Sequence, residues 1–382
     1  MKILVSGEGY PEKRNIIVSG DNCYLNFRKK NIYLYINAFR QKLLKKNKIF
    51  LFRIFPGLSP GDSSVIHIFN EVAQSGTKWI STFETELPRV LPVKGMIKTE
   101  NPELHRLLDY VAAPECIRII AISDATSRIQ MKLLESFPHY RDVIGRKICV
   151  MHPPQPILYP EERSFSGKRV TFTFIGNEFY RKGGAEVVLA FSELHEEGLI
   201  GSESVQVNLI GDLSRKHNIA LRNFQDEEKF NVSIENLIHA HSFFRHFNFI
   251  PNDRVIELLK ETDVGLLPTW QDTYGFSVLE MQACGCPVIT TNIRALPEIN
   301  PISAGWIIEC PLNDMYEHTV DSESAKQNIR KAVIAQMKTH IMNAVRDPHG
   351  IKRRSDNALR RIHDDHNPEV FSQKLNEIYL SA

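Results

Sequence analysis

The sequence predicts an α/β protein of two domains, each built on a parallel sheet, and three observations carry that expectation. A chain of 382 residues is too long for one small core and corresponds to roughly two or three domains at about 150 residues each. Short apolar runs alternate with helical or loop segments, the pattern of parallel strands joined by crossover helices. Midway, Pro153, Pro154, Pro156 and Pro160 crowd together ahead of the polar stretch from Glu161 to Lys168. Prolines so spaced cannot continue a helix or donate to a central sheet, so this stretch reads as the interdomain linker.

Taken in order, the chain opens with the apolar run Ile3-Leu4-Val5, a buried strand that ends in the turn Ser6-Gly7-Glu8-Gly9. Further strands are expected over 65–69, 78–83 and 117–123. After the linker the alternation restarts with a strand over 170–175, a helix over 185–195 and a strand over 205–210. A helix over 252–261 then leads to a strand over 263–267, a loop over 268–274, a helix from Ser277 to Ala283 and a strand over 286–291. From Asp321 the pattern is helical, and Phe371, Leu375, Ile378 and Tyr379 mark a terminal amphipathic helix.

Hydrophobic residues at 42% and charged residues at 24% are values of a folded globular chain, which excludes a disordered, collagen-like or coiled-coil class. No apolar run is long enough to span a bilayer, and Met1-Lys2-Ile3-Leu4 does not open a signal peptide. The expectation is a cytoplasmic protein. Six dispersed cysteines without a Cys-x-x-Cys pair read as reduced thiols, with Cys284 and Cys286 as small buried hydrophobes. The net charge of +2 hides an asymmetry: residues 22–61 contain no acid but carry Arg28, Lys29, Lys30, Arg40, Lys42, Lys45, Lys46, Lys48 and Arg53.

Chemistry concentrates in the window from Gln271 to Ile289. Gly275-Phe276-Ser277 stands at a helix entrance, where free backbone N–H groups and a partial positive charge suit a diphosphate, and glycine would let a ligand approach the backbone. Glu280, one turn inside, can reach ribose hydroxyls, and Asp272 can hold a sugar hydroxyl. From the residues alone, both acids are equally well explained as surface carboxylates.

This window resembles the donor-site motif of the retaining GT-B glycosyltransferases of family four, glycosyl transferases group 1, in which two acids are separated by seven residues. Asp272 stands where that family's first Glu usually sits, and Glu280 matches the second. Gly275-Phe276, Ala283, Gly285, Pro287-Val288 and Leu296-Pro297-Glu298-Ile299 fall in step. Phe174-Ile175-Gly176-Asn177 and Lys182-Gly183 resemble the segment whose Arg and Lys neutralise the donor diphosphate. Lys182 matches, Asn177 replaces the Arg, and the neighbouring Arg181 is the candidate for the missing guanidinium.

The resemblance implies two Rossmann-like domains facing across a cleft. Residues 1–155 would bind the acceptor, with a C-terminal helix at about 366–382 crossing back to them, and residues 156–365 would bind the nucleotide sugar. It further implies transfer with retention and without a metal or cofactor, the leaving diphosphate helping to deprotonate the acceptor while Lys182, Arg181 and the Gly275 turn stabilise its charge. No Asp-x-Asp occurs, and His363-Asp364-Asp365-His366 reads as a solvated helix end. The first half departs from the family: Gly7 and Gly9 replace a Gly-Gly phosphate or acceptor loop. Glu84 stands near an expected His, either holding the donor sugar or polarising an acceptor hydroxyl, the ordinary alternative being a structural partner of Arg89 or a loop charge.

Ile32, Ile36, Phe39 and Leu43 form one apolar stripe within the basic segment from Arg28 to Arg53. Such a helix suits an anionic membrane, where a lipid-linked glycan acceptor would be found; the ordinary alternative is a stripe packed on the sheet. No finger, RRM or KH motif accompanies the basic run, so nucleic acid is not expected. The function expected is a nucleotide-sugar-dependent hexosyltransferase acting on a glycan or lipid-linked acceptor in cell-envelope polysaccharide or glycoconjugate synthesis, on the inner face of the membrane. The rivals are a non-catalytic scaffold of the same fold and a sugar-nucleotide epimerase.

Overall fold

The computed structural model describes every residue except 21, 59, 60, 62, 63, 160–164, 166, 167 and 382, so part of the expected linker lies outside the described residues. The chain divides into two compact units, Met1–Pro154 with His366–Ala382, and Gln155–Asp365.

Unit 1 contains the strands β1 (Lys2–Val5), β2 (Cys23–Asn26), β3 (Leu51–Phe52), β4 (Ser64–Phe69), β5 (Val72–Ala73), β6 (Trp79–Phe83), β7 (Cys116–Ala121) and β8 (Ile148–Val150). Its helices are α1 (Tyr10–Asn15), α2 (Ile32–Lys42), α3 (Pro102–Ala112), α4 (Asp124–Glu135) and α5 (Pro138–Gly145). The main sheet runs β2-β1-β4-β6-β7-β8 with every pair parallel. Central strands such as β6 are buried throughout, as a sheet covered on both faces requires. Parallel pairing sends the loops after β1, β4 and β6 to one edge. The chain reverses its direction of growth between β1 and β4, the position at which such sheets open a crevice.

Unit 2 repeats this plan with β9 (Val170–Glu178), β10 (Val205–Asp212), β11 (Phe244–Phe247), β12 (Val264–Leu267), β13 (Val288–Thr291) and β14 (Trp306–Ile308). They pair in the order β11-β10-β9-β12-β13-β14, all parallel, so the reversal falls between β9 and β12. The helices α6 (Gly184–Glu196), α7 (Glu228–Ala240), α8 (Asn252–Lys260), α9 (Phe276–Ala283), α10 (Leu296–Ile299), α11 (Glu323–Arg346) and α12 (Pro348–Asp365) cover it. The edge strands β2, β8, β11 and β14 escaped the sequence reading. All are short, three or four residues, and β2 in addition carries little buried apolar surface to mark it.

The last helix, α13 (Pro368–Leu380), belongs to unit 1, where Phe371, Leu375 and Tyr379 join Ile3, Val5, Ile80 and Ile120 in one buried cluster. Its anchor is polar. The Tyr379 hydroxyl lies 2.7 Å from Nδ1 of fully buried His67, whose Nε2 is 2.8 Å from Thr82 Oγ1. Of the predicted solvated helix end, His363, Asp364 and Asp365 are exposed, whereas His366 is buried with Nδ1 2.9 Å from the Pro153 carbonyl oxygen.

The stripe of helix α2 divides: Ile32 and Ile36 are half-buried, whereas Phe39 and Leu43 are exposed. Asn37 is the helix's only buried residue; Asn37 donates to the Ile49 carbonyl (2.9 Å) and accepts from Ile49 N–H (2.8 Å). Asn31 caps the helix through Tyr33 N–H and also accepts from Arg53 N–H, each at 3.0 Å. Because these polar clamps hold the helix, Phe39 and Leu43 remain 54% and 69% exposed.

Burial holds the His67 imidazole down to about 3, and that of His318 in unit 2 down to about 4. An unfolded histidine titrates near 6.5, so below that pH the unfolded chain takes up protons that these folded rings refuse. Their contribution to stability is complete above pH 6.5 and is lost as the pH falls towards 4. The thermal midpoint is therefore expected to drop over that interval, and less so for unit 1 in His67→Gln; a midpoint constant from pH 7 to pH 4.5 would contradict this.

Candidate functional site

At the β9/β12 reversal, two loops are stitched edge to edge. Trp270 N–H donates to the Arg181 carbonyl (3.0 Å), Thr269 Oγ1 donates to the same oxygen (3.2 Å), and Arg181 Nη1 donates to the Gln271 carbonyl (2.7 Å). The approach is close enough that a Cβ on Gly183 would overlap the Pro268 carbonyl, and Gly183 has φ +87°. Both facts require glycine there. The stitch sets Lys182 Nζ 2.5 Å from Asp272 Oδ2, with side chains 18% and 12% exposed. Asp272 Oδ1 accepts from Thr273 N–H at 2.9 Å.

Arg181 is engaged differently from the expectation. Its Nε donates to Glu178 Oε2 (2.8 Å), its Nη2 contacts the same oxygen, and Nη1 holds Gln271. Burial raises the Glu178 carboxyl, but the Arg181 hydrogen bond and nearby cations outweigh it and hold the group below its usual range. The guanidinium thus braces two loops, and Lys182 is the cation paired with the Asp272 carboxylate.

Helix α9 is buried along Val278, Leu279, Met281, Gln282 and Ala283, leaving Phe276, Ser277 and Glu280 as its partly exposed face. These three are the residues singled out from the sequence. Gly275, at φ +96°, caps the helix, and a Cβ there would meet Leu296 Cδ2 at 2.6 Å. Backbone conformation and the packing of Leu296 each require glycine here. Sequence reasoning missed Arg294 and Glu317. Arg294, buried and at φ +48°, donates from Nη2 to Glu317 Oε1 at 2.5 Å, and Gln271 Nε2 donates to that oxygen at 3.4 Å. No spacing signals this brace, because its partners are distant in sequence.

At the β1/β4 reversal of unit 1 lies a cavity of about 630 Å³, lined by Gly9, Glu12, Glu71, Glu84 and the Leu34 and Gln41 face of α2. Glu84 Oε1 accepts from Asn70 Nδ2 and its N–H donates to Asn70 Oδ1, both at 3.1 Å, while Arg89 Nη1 stands 3.6 Å away. Glu84 thus lines the cavity and stands beside Arg89, the neighbour expected of it as a structural charge. The Gly7 turn faces the Glu12 carboxylate, which would oppose a bound phosphate and favour hydroxyl groups. Glu71 was not foreseen. Its side chain is 14% exposed, Oε1 is 3.4 Å from Lys48 Nζ, and Oε2 is buried without a hydrogen-bond partner among the described residues. Burial raises this carboxyl despite Lys48.

Solved structures share this architecture. The chain aligns with a glycosyltransferase from Rickettsia africae (TM-score 0.56, 15% identity, 94% of this chain and 84% of that one). It also aligns with the UDP-forming α,α-trehalose-phosphate synthase from Burkholderia xenovorans (0.57, 10%, 99% and 98%). A third match is Anabaena HepE in complex with UDP and glucose (0.54, 11%, 100% and 100%). The fold is GT-B, with two Rossmann-like domains. Residues 158–340, just under half of the chain, match the model of the family Glycosyl transferases group 1. Among curated proteins, glycogen synthase from Mycobacterium tuberculosis is 22% identical over 214 residues, 55% of this chain. The matched stretch spans 42% of that relative's length.

If the loop stitch positions Lys182, Gly183→Ala should cost more than the roughly 1–2 kcal/mol of a left-handed alanine. Gly198→Ala, also at positive φ but with open space around its Cβ, supplies the reference. Urea unfolding should show the larger loss at Gly183; equal losses would mean that the Pro268 approach is readily relieved.

Proposed function

We propose that this chain transfers a sugar from a nucleotide-sugar donor, bound by unit 2, to a hydroxyl of a glycan or lipid-linked acceptor, bound by unit 1. The reading includes retention of configuration, no metal, a hexosyl donor and a cytoplasmic enzyme of envelope polysaccharide or glycoconjugate synthesis, peripheral on the membrane. The observation that carries it is the Lys182–Asp272 pair beside the entrance of α9, inside the segment that matches the model of glycosyl transferases group 1. HepE with UDP-glucose, a structure of the same fold, supports the donor class.

In this reading the α9 N-terminus and Lys182 take the donor diphosphate, and Glu280 takes the ribose. As the bond to the sugar breaks, charge grows on the leaving diphosphate, and Lys182 stabilises it where it develops. Asp272, which holds Lys182 in the unliganded chain, is released towards the sugar when the diphosphate claims the ammonium. Glu84 and Glu71 line the acceptor cavity, Glu84 accepting from the reacting hydroxyl and Glu71, held towards its neutral form, donating to or accepting from a second one.

Incubation with a panel of nucleotide sugars and analysis of released nucleoside diphosphate tests the activity; a folded sample that neither binds nor turns over any donor refutes it. Lys182→Ala is expected to lower turnover by about 10²–10³. Glu280→Ala should weaken nucleoside diphosphate binding about 10-fold to 100-fold, the worth of hydrogen bonds to a charged group. Asp272→Asn, which frees Lys182, should leave that binding equal or tighter while reducing turnover. Loss of binding in Asp272→Asn would overturn the proposed exchange of partners.

A further inference from the structure

The two faces of α2 have different surroundings. Leu34, Ala38 and Gln41 line the cavity of unit 1. About a third to half a turn around the helix, Tyr35, Phe39 and Leu43 point outward, 51%, 54% and 69% exposed. The apolar surface continues beyond the helix. Leu44 is 47% exposed, and Asn47 Nδ2 donates to the Pro92 carbonyl at 3.0 Å, joining this end of α2 to a loop in which Met96 and Ile97 are 41% and 63% exposed. Large side chains brought together in this way on a surface mark an interaction site.

Charge selects the partner. Residues 22–61 and 87–99 contain no Asp or Glu, and Lys42, Lys45, Lys46 and Lys94 are exposed among the apolar groups. An apolar stripe interleaved with lysines and held to its unit by asparagine clamps has the makeup of a helix that lies in a bilayer interface, its apolar side chains entering the acyl boundary while its lysines meet anionic headgroups. A second copy of this surface would set lysines against lysines, which disfavours self-association.

We propose that the outward face of α2, together with the loop at residues 93–97, docks unit 1 on an anionic lipid surface, which places the acceptor cavity, lined by the opposite face of the same helix, beside the membrane. This rests on the transferase reading only for the statement that the acceptor is lipid-linked; the docking itself stands on the exposed residues.

Co-sedimentation of the full chain with vesicles of phosphatidylcholine alone, or containing about a third phosphatidylglycerol, tests it. Binding is expected to the anionic vesicles only and to fall steeply with added salt. Lys42→Gln, Lys45→Gln and Lys46→Gln combined should weaken it about a hundred-fold, and Phe39→Ser with Leu43→Ser at least about tenfold. Thermal melting and UDP calorimetry show whether each variant remains folded. Absence of vesicle binding, equal binding to neutral vesicles, or full binding by both variants would overturn the proposal. So would a dimer in light scattering that Phe39→Ser with Leu43→Ser converts to monomer, since a second copy would then be the occupant. Failure of UDP binding with vesicle binding intact would count against the transferase reading alone.

Discussion

The Lys182–Asp272 site depends on the contact between the Gly183 turn and the carbonyl of Pro268. Everything around it follows from the room a missing Cβ leaves. With the β9 and β12 loops so close, backbone and side-chain bonds run from Arg181 to Trp270, Thr269 and Gln271, and an ammonium and a carboxylate from different crossovers meet. The same loop rests on a buried charge network. Arg330 on α11 binds Glu186 at 2.8 Å and Asp226 at 2.7 Å, with its guanidinium 5.5 Å from the Trp270 ring. Burial works against the Arg330 charge, and the two carboxylates outweigh it. Removing Arg330 would strand the fully buried Glu186 carboxylate beneath the site, which is far more costly than the pair is stabilising.

Unit 1 solves a different problem with the same sheet plan. Its cavity carries carboxylates held by amides and cations: Glu84 by Asn70 and Arg89, Glu71 by Lys48. A phosphate loop would have needed free N–H groups and a following helix with a strong terminus, whereas Glu12 of the short helix α1 faces the Gly7 turn. Glu71, one of whose oxygens is buried without a hydrogen-bond partner among the described residues, is the least satisfied of these carboxylates. Helix α2 then separates that polar cavity from an apolar outer face, and polar clamps rather than core packing make this division.

Much of this was legible in the sequence. The strands β1, β4, β6, β9 and β12 announced themselves as apolar runs because a parallel sheet buried on both faces leaves them no solvent side. The terminal helix showed its core contacts at Phe371, Leu375 and Tyr379. Edge strands such as β2 did not show, since one flank meets water and their composition is mixed. In the donor window, Asp272, Gly275 and Glu280 were visible as a local motif, but Arg294 and Glu317 were not. Their brace joins residues far apart in sequence and is held by strained backbone.

The sequence alone determined the α/β class, the division near the prolines at 153–160, and the spacing of Asp272 from Glu280, because each is written in local periodicity or in a contiguous motif. Only the tertiary structure decided that Arg181 braces loops while Lys182 meets Asp272, that Gly275 is fixed by Leu296, and that Phe39 and Leu43 of the α2 stripe face outward. Those outcomes depend on which distant groups compete for the same guanidinium, the same space or the same helix face. Such competition is settled only when the crossovers have brought the competitors together.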